Sequence, residues 1–181
     1  MCVARGVQQT QCDEDRPANQ PELPPYLFSS KGHLMYKRIL LPIDSSSTSA
    51  RALAESIKLA SEMKSRLRIV HVVKIGVPID DDLEGIIDVN ELTQKLRHLG
   101  QTLLDKAAET ARRAGVEPET GLLDAKKTRV AIVLGEEAAR WQADLVVMGT
   151  HGRVGFEYLL MGSVAEEFIR VANAPILLVH E

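Results

Sequence analysis

The feature that most constrains this chain is an alternation. Five short strand-like runs follow one another, with a helically spaced stretch between each run and the next. The runs occupy residues 38–43, 67–73, 119–124, 145–148 and 175–179. They read as near-continuous aliphatic segments rather than as apolar and polar in turn, as expected for strands covered on both faces. Parallel neighbours need a crossover between them, and a helix is the usual one. The alternation therefore predicts an α/β domain: a doubly wound, five-stranded parallel sheet with helices on both faces.

The helical stretches are uneven in clarity. Ala50, Leu53, Ala54, Ile57, Ala60 and Met63 keep helical spacing, with Ser46 and Ser47 as candidate N-caps. Leu92, Leu96, Leu99, Leu103, Ala107, Ala111 and Ala114 form a longer, core-facing stripe that stops at Gly115. Residues 129–142 begin like a strand and end like a helix; the crossover requirement makes them a helix. Residues 163–173 supply the last helix. Residues 74–88, rich in Gly, Pro and Asp, read as a loop.

At 181 residues the chain has length for one domain with some left over. The surplus lies at residues 1–34, which hold both cysteines and four of the eight prolines and show no period. They are expected to form a flexible N-terminal extension to a domain at 35–181. No apolar run approaches the ~18 residues of a membrane helix. The opening residues lack an apolar signal core and carry Asp13-Glu14-Asp15. With a net charge of −3 and no basic block, the chain is expected to bind no nucleic acid, and with no such apolar run, no membrane; the cysteine-free stretch 35–181 and the missing export signal lead to the expectation that it is cytoplasmic.

Ligands of doubly wound sheets sit beyond the carboxyl ends of the strands, near the switch in strand order. The relevant places here are Pro42-Ile43-Asp44, His71-Val72, and the loop after strand four. That loop has the pattern G-x2-G-x9-G-S at Gly149, Gly152, Gly162 and Ser163, with a further Gly155. Glycines let backbone N–H groups approach a ligand, and a helix start carries partial positive charge. Together they can cradle phosphates. The same residues also read as a plain turn followed by a capping box, Ser163-x-x-Glu166. Neither G-x-x-x-x-G-K-[ST] nor G-x-G-x-x-G is present.

At these residues the chain resembles the universal stress protein family, on its ATP-binding branch. The carrying blocks are Tyr36 through Asp44, Val70-His71-Val72, Ala143 through Gly152 running into Gly162-Ser163, and Ala174 through Val179. The resemblance covers residues 35–181. It implies an adenine nucleotide α-hydrolase-like, Rossmann-like fold and an ATP-binding regulatory module of the stress response, with little or no hydrolysis. It further implies that base and ribose lie against Pro42, Asp44 and Val72, and that the phosphates meet Gly149, Gly152, Arg153, Gly155, Gly162, Ser163 and Val164. Ile43, Met148, Thr150 and His151 complete the implied nucleotide-binding set. Mg2+ would accompany the phosphates rather than sit in a protein cage. A homodimer through the strand at Ile176–Val179 is implied as well; as a terminal aliphatic strand it invites pairing if it lies at an edge.

Each of these residues also has a plainer reading. Asp44 can serve its own loop and helix cap. His71, inside an apolar strand, reads as a hydrogen-bonded structural residue, and Trp141 as a packing residue. His151 is equally a solvated loop residue. No residue is assigned a catalytic or metal-ligating role. Two other readings stand beside the nucleotide module: a receiver-type phosphoacceptor using Asp124, and a dimeric interaction protein whose glycine loop is structural.

Overall fold

A computed structural model of the chain describes residues 36–74, 89–126, 128–150 and 162–180. The expected extension at 1–34 lies outside the described residues, as do positions 75–88 of the expected loop. The elements run β1 (Arg38–Pro42), α1 (Ser47–Met63), β2 (Arg66–Val73), α2 (Val89–Arg113), β3 (Glu119–Asp124), α3 (Val130–Arg140), β4 (Leu145–Gly149), α4 (Ser163–Val171) and β5 (Ile176–Val179). All four strand pairings are parallel. The order is β3-β2-β1-β4-β5, so the direction of winding reverses between β1 and β4.

Strand alternation divides the core into two layers. Ile39, Leu41 and Ile43 face α1 and α2, meeting Ala52, Ile57, Leu104 and Ala111. Leu40, Val70, Val146 and Met148 face α3 and α4, meeting Leu134, Ala138, Ala165 and Phe168. Both faces of the central strands are thus covered, which is why their sequences show no period of two. Asp144 closes the lower end of the β1–β4 pair. Its two carboxylate oxygens accept the backbone N–H groups of Lys37 and Arg38, each at 2.8 Å.

Local chemistry sets the helix ends. Ser46, not Ser47, is the N-cap of α1, its hydroxyl accepting the Ser49 N–H. Helix α2 is followed by Gly115 at φ 81°, the left-handed conformation that glycine adopts without strain. Residues 129–142 do contain a helix. Trp141 ends it, 5% exposed and packed in the α3–α4 layer as expected.

The stripe on α2 differs from the expectation. Its buried residues are Gly100, Leu104, Ala107, Ala108 and Ala111, whereas Leu99 is 64% exposed and Ala114 is exposed. The helix approaches β2 and β3 so closely at Gly100 that a Cβ there would lie 2.7 Å from His71 Cδ2 and 2.8 Å from Leu122 Cδ1. The buried stripe is thus shifted toward Gly100, Leu104 and Ala108, while Ala107 and Ala111 are buried as expected and Leu92, Leu96 and Leu103 are half-buried.

Candidate functional site

A cavity of about 340 Å³ opens at the carboxyl ends of the strands, where the winding reverses. Pro42, Ile43 and Asp44 come from the end of β1, and His71, Val72 and Lys74 from the end of β2. Met148, Gly149 and Thr150 come from β4 and the residue after it. Val130 and Leu134 of α3, and Gly162, Ser163, Val164 and Ala165 at the start of α4, form the facing wall. The switch point creates this space because the chain leaves β1 and β4 toward opposite faces of the sheet.

Asp44 is held by its neighbours. Its Oδ1 accepts the N–H and the hydroxyl of Ser46, at 2.9 and 2.5 Å, and its own N–H donates to Ser49 Oγ at 3.0 Å. Both bonds to the carboxylate fall on Oδ1. Asp44 therefore fills the loop role, and lines the cavity as well. His71 Nδ1 lies 2.7 Å from the Ile43 carbonyl oxygen, tying the β1 end to β2. This is the structural role expected of it.

The start of α4 is the chemically distinctive wall. Its N-cap is Gly162 and no side chain among the described residues caps the helix. Ser163 is the first helical residue, so the expected capping box does not form: a residue already inside the helix cannot act as its N-cap. The first-turn N–H groups are left without a side-chain partner beside a cavity, an arrangement suited to an anion. Gly162 N–H donates to the Thr150 carbonyl at 2.6 Å, joining the start of α4 to the end of β4. Thr150 N–H in turn donates to the Val179 carbonyl of β5 at 2.9 Å.

The structure thus gathers Pro42, Ile43, Asp44, Val72, Met148, Gly149, Thr150, Gly162, Ser163 and Val164 around one cavity. His151, Gly152, Arg153 and Gly155 lie outside the described residues. Ser49, Lys74, Val130, Leu134 and Ala165 line the cavity and were missed. Lys74 had a signal, since two residues past Val72 on a strand is the same face. The helix residues had none, because the packing of α3 and α4 sets which of their sides faces the cavity.

Asp124 stands elsewhere. It ends β3, an edge strand, and pairs with Arg97 of α2. Receiver-like sheets follow the order 2-1-3-4-5, which places their third strand centrally; here β3 is outermost. The phosphoacceptor reading loses its site on that ground.

Comparison with known proteins gives a consistent picture. The sequence profile of the universal stress protein family matches residues 35–180. A universal stress protein of Methanocaldococcus jannaschii is 33% identical over 159 residues, covering 86% of this chain and 91% of its own. The crystal structure of a universal stress protein family member from Burkholderia pseudomallei, 32% identical, superposes with a TM-score of 0.65 over 80% of this chain and 96% of that one. The universal stress protein of Archaeoglobus fulgidus in complex with dAMP, 24% identical, shares the fold at a TM-score of 0.54 over 80% of this chain and 98% of that one.

Proposed function

The chain belongs to the universal stress protein family, and from that premise we propose that it is a regulatory adenine-nucleotide-binding module whose ligand is ATP. The observation that carries the reading is the cavity at the β1–β4 switch, with Asp44 and Val72 on one side and the uncapped start of α4 on the other. The chain also keeps the whole G-x2-G-x9-G-S pattern across Gly149, Gly152, Gly162 and Ser163. A relative from Archaeoglobus fulgidus was solved with dAMP, an adenine nucleotide.

The residues present suit such a ligand. Pro42, Val72 and Met148 offer apolar surface to a base, and Asp44 Oδ2 offers an acceptor to ribose hydroxyls. The N–H groups of residues 163–165 and the α4 dipole receive phosphate oxygens. Mg2+ would enter with the phosphates and neutralise part of their charge. Asp44, His71 and Lys74 are the titratable residues among the described cavity lining, and Asp44 and His71 are already hydrogen-bonded within the chain. In this reading Asp44 serves its loop and the ribose, His71 the Ile43 carbonyl, and Lys74 brings positive charge to the phosphates, which leaves no residue assigned as general base and a site that holds ATP with little or no hydrolysis.

Residues 35–181 form the binding domain in this reading, with 1–34 as a flexible extension, and the protein works in the cytoplasm as a homodimer. β5 is an outer strand of the sheet and Leu177 on it is 39% exposed. A second copy pairing along Ile176–Val179 would cover that edge. Sedimentation of wild type and Leu177→Lys tests this: a dimer turning to monomer is expected, and a wild-type monomer would overturn it.

Calorimetric titration with Mg-ATP tests the binding itself. Ser163→Asp is the informative variant, because an acidic first turn stabilises a helix by about 0.3–1 kcal/mol while placing a negative charge where phosphate would sit. Wild type should bind and melt higher with nucleotide, and the variant should fold and not bind. No heat and no melting shift for wild type at millimolar Mg-ATP would overturn the assignment.

A further inference from the structure

The opposite pole of the sheet carries a cluster that the nucleotide reading leaves unused. Arg38 and Arg66 open β1 and β2, and both guanidiniums stand over Trp141, at 4.7 and 5.8 Å from its ring centroid. Glu119, at the start of β3, accepts from Arg66 at 2.5 Å, from Arg68 at 3.4 Å and from Trp141 Nε1 at 3.1 Å. Buried Glu137 accepts from Arg68 Nε at 2.6 Å and from both Nε and Nη2 of Arg140.

Charge and hydrogen bonds do not balance there. Every carboxylate oxygen of Glu119 and Glu137 already accepts from Arg66, Arg68, Arg140 or Trp141. Asp144, at the same pole, spends both oxygens on the backbone N–H groups of Lys37 and Arg38. Arg38 is half-buried, its Nε is buried without a hydrogen-bond partner, and it enters none of the ion pairs among the described residues. A guanidinium in that state is costly unless something compensates it. The cation–π contact with the indole compensates part of the charge, yet supplies no acceptor oxygen to the guanidinium's N–H groups.

We propose that this pole is an anion site, with Arg38 as its anchor and the exposed heads of Arg66 and Arg140 at its rim, and that it takes a phosphate group, free or on a small phosphomonoester. A tetrahedral dianion offers three strong acceptor oxygens to several arginines, more than one carboxylate can. The site is separate from the nucleotide cavity: β1 alone sets them about 15 Å apart, at ~3.3 Å per residue. It stands whether or not the nucleotide reading does.

Trp141 is the single tryptophan of the chain, so the site carries its own reporter. The full chain is titrated at constant ionic strength with inorganic phosphate, glycerol phosphate and acetate, following Trp141 fluorescence. A saturable change with phosphate is expected, with half-saturation raised tenfold or more in Arg38→Gln and unchanged in Ser163→Asp. Glycerol phosphate matching or exceeding phosphate would identify the ester as the ligand; phosphate acting alone would identify the free ion. Arg38→Lys keeps a cation over the ring but no fork, and should bind several-fold more weakly; it decides the matter if Arg38→Gln does not fold. No saturable change, a change that survives both Arg38 variants, or one that acetate reproduces would overturn the proposal.

Discussion

Thr48 and Gly149 touch so closely that no side chain fits between them. A Cβ on Gly149 would stand 2.6 Å from Thr48 Oγ1, 2.9 Å from the Thr48 carbonyl carbon and 3.0 Å from Ser49 N. The first turn of α1 therefore rests directly on the end of β4. The hydroxyl can rotate away, but the backbone atoms cannot, and Thr48 is 1% exposed. Gly149→Ala is expected to destabilise the fold by about 1–3 kcal/mol, the usual range for overpacking. Urea unfolding measures this. Because Gly149 and Ser49 both line the cavity, nucleotide affinity should fall with it.

Glu137 is the second sensitive point, on the opposite side of the sheet. Its side chain is 3% exposed and its partner Arg68 is 13% exposed, at 2.6 Å. Removing one member of such a buried pair leaves the other charge uncompensated, typically at 3–5 kcal/mol. The weak 3.4 Å contact of Arg68 with Glu119 softens that only slightly. Glu137→Ala should lower stability by roughly 3 kcal/mol, and a melting shift of only a degree or two would contradict it.

These two sites mark the limit of what the sequence made legible. The strands, their parallel pairing and the switch point follow from aliphatic runs separated by helical stretches. Pro42, Asp44, Val72, Gly149 and Ser163 could be placed near one another because strand ends and the α4 start are positions along the chain. The role of Gly149 was only half readable. It looked like a residue that lets backbone approach a ligand, and the structure shows it letting α1 approach β4. Leu99 was misplaced because α2 meets the sheet through Gly100, which leaves the neighbouring Leu99 on its open side. The Glu119–Glu137–arginine network was invisible, because its members come from β2, β3 and α3, and only the packing of the folded sheet and helix brings them together.

The network also predicts an acid dependence. Burial pushes the Glu119 carboxyl up, but hydrogen bonds from Arg66 and Trp141 and the charges of Arg66 and Arg68 outweigh it, holding it below its ordinary 4.5. A carboxyl depressed in the folded state contributes stability above its unfolded pKa, and loses it as pH falls through the folded one. Wild type should therefore exceed Glu119→Gln in stability near neutral pH. The gap should narrow once pH drops below about 4.5, the group's ordinary value. Unfolding at a series of pH values checks the sign; a gap that widens on acidification would contradict it.

Asp44 allows the loop role and the ligand role to be separated. Its Oδ1 holds Ser46, and the other oxygen carries no hydrogen bond among the described residues. Asparagine keeps an oxygen for Ser46 but replaces the second acceptor with an NH2 donor. Asp44→Asn should therefore fold like wild type and bind Mg-ATP roughly tenfold more weakly, the loss of one charge-assisted hydrogen bond. Asp44→Ala removes both functions, so it should lose about 1 kcal/mol of stability along with the affinity. If Asp44 served only its loop, the alanine variant would lose stability and the asparagine variant would titrate with nucleotide as wild type does. Calorimetry on the pair, read beside their melting temperatures, distinguishes the two outcomes.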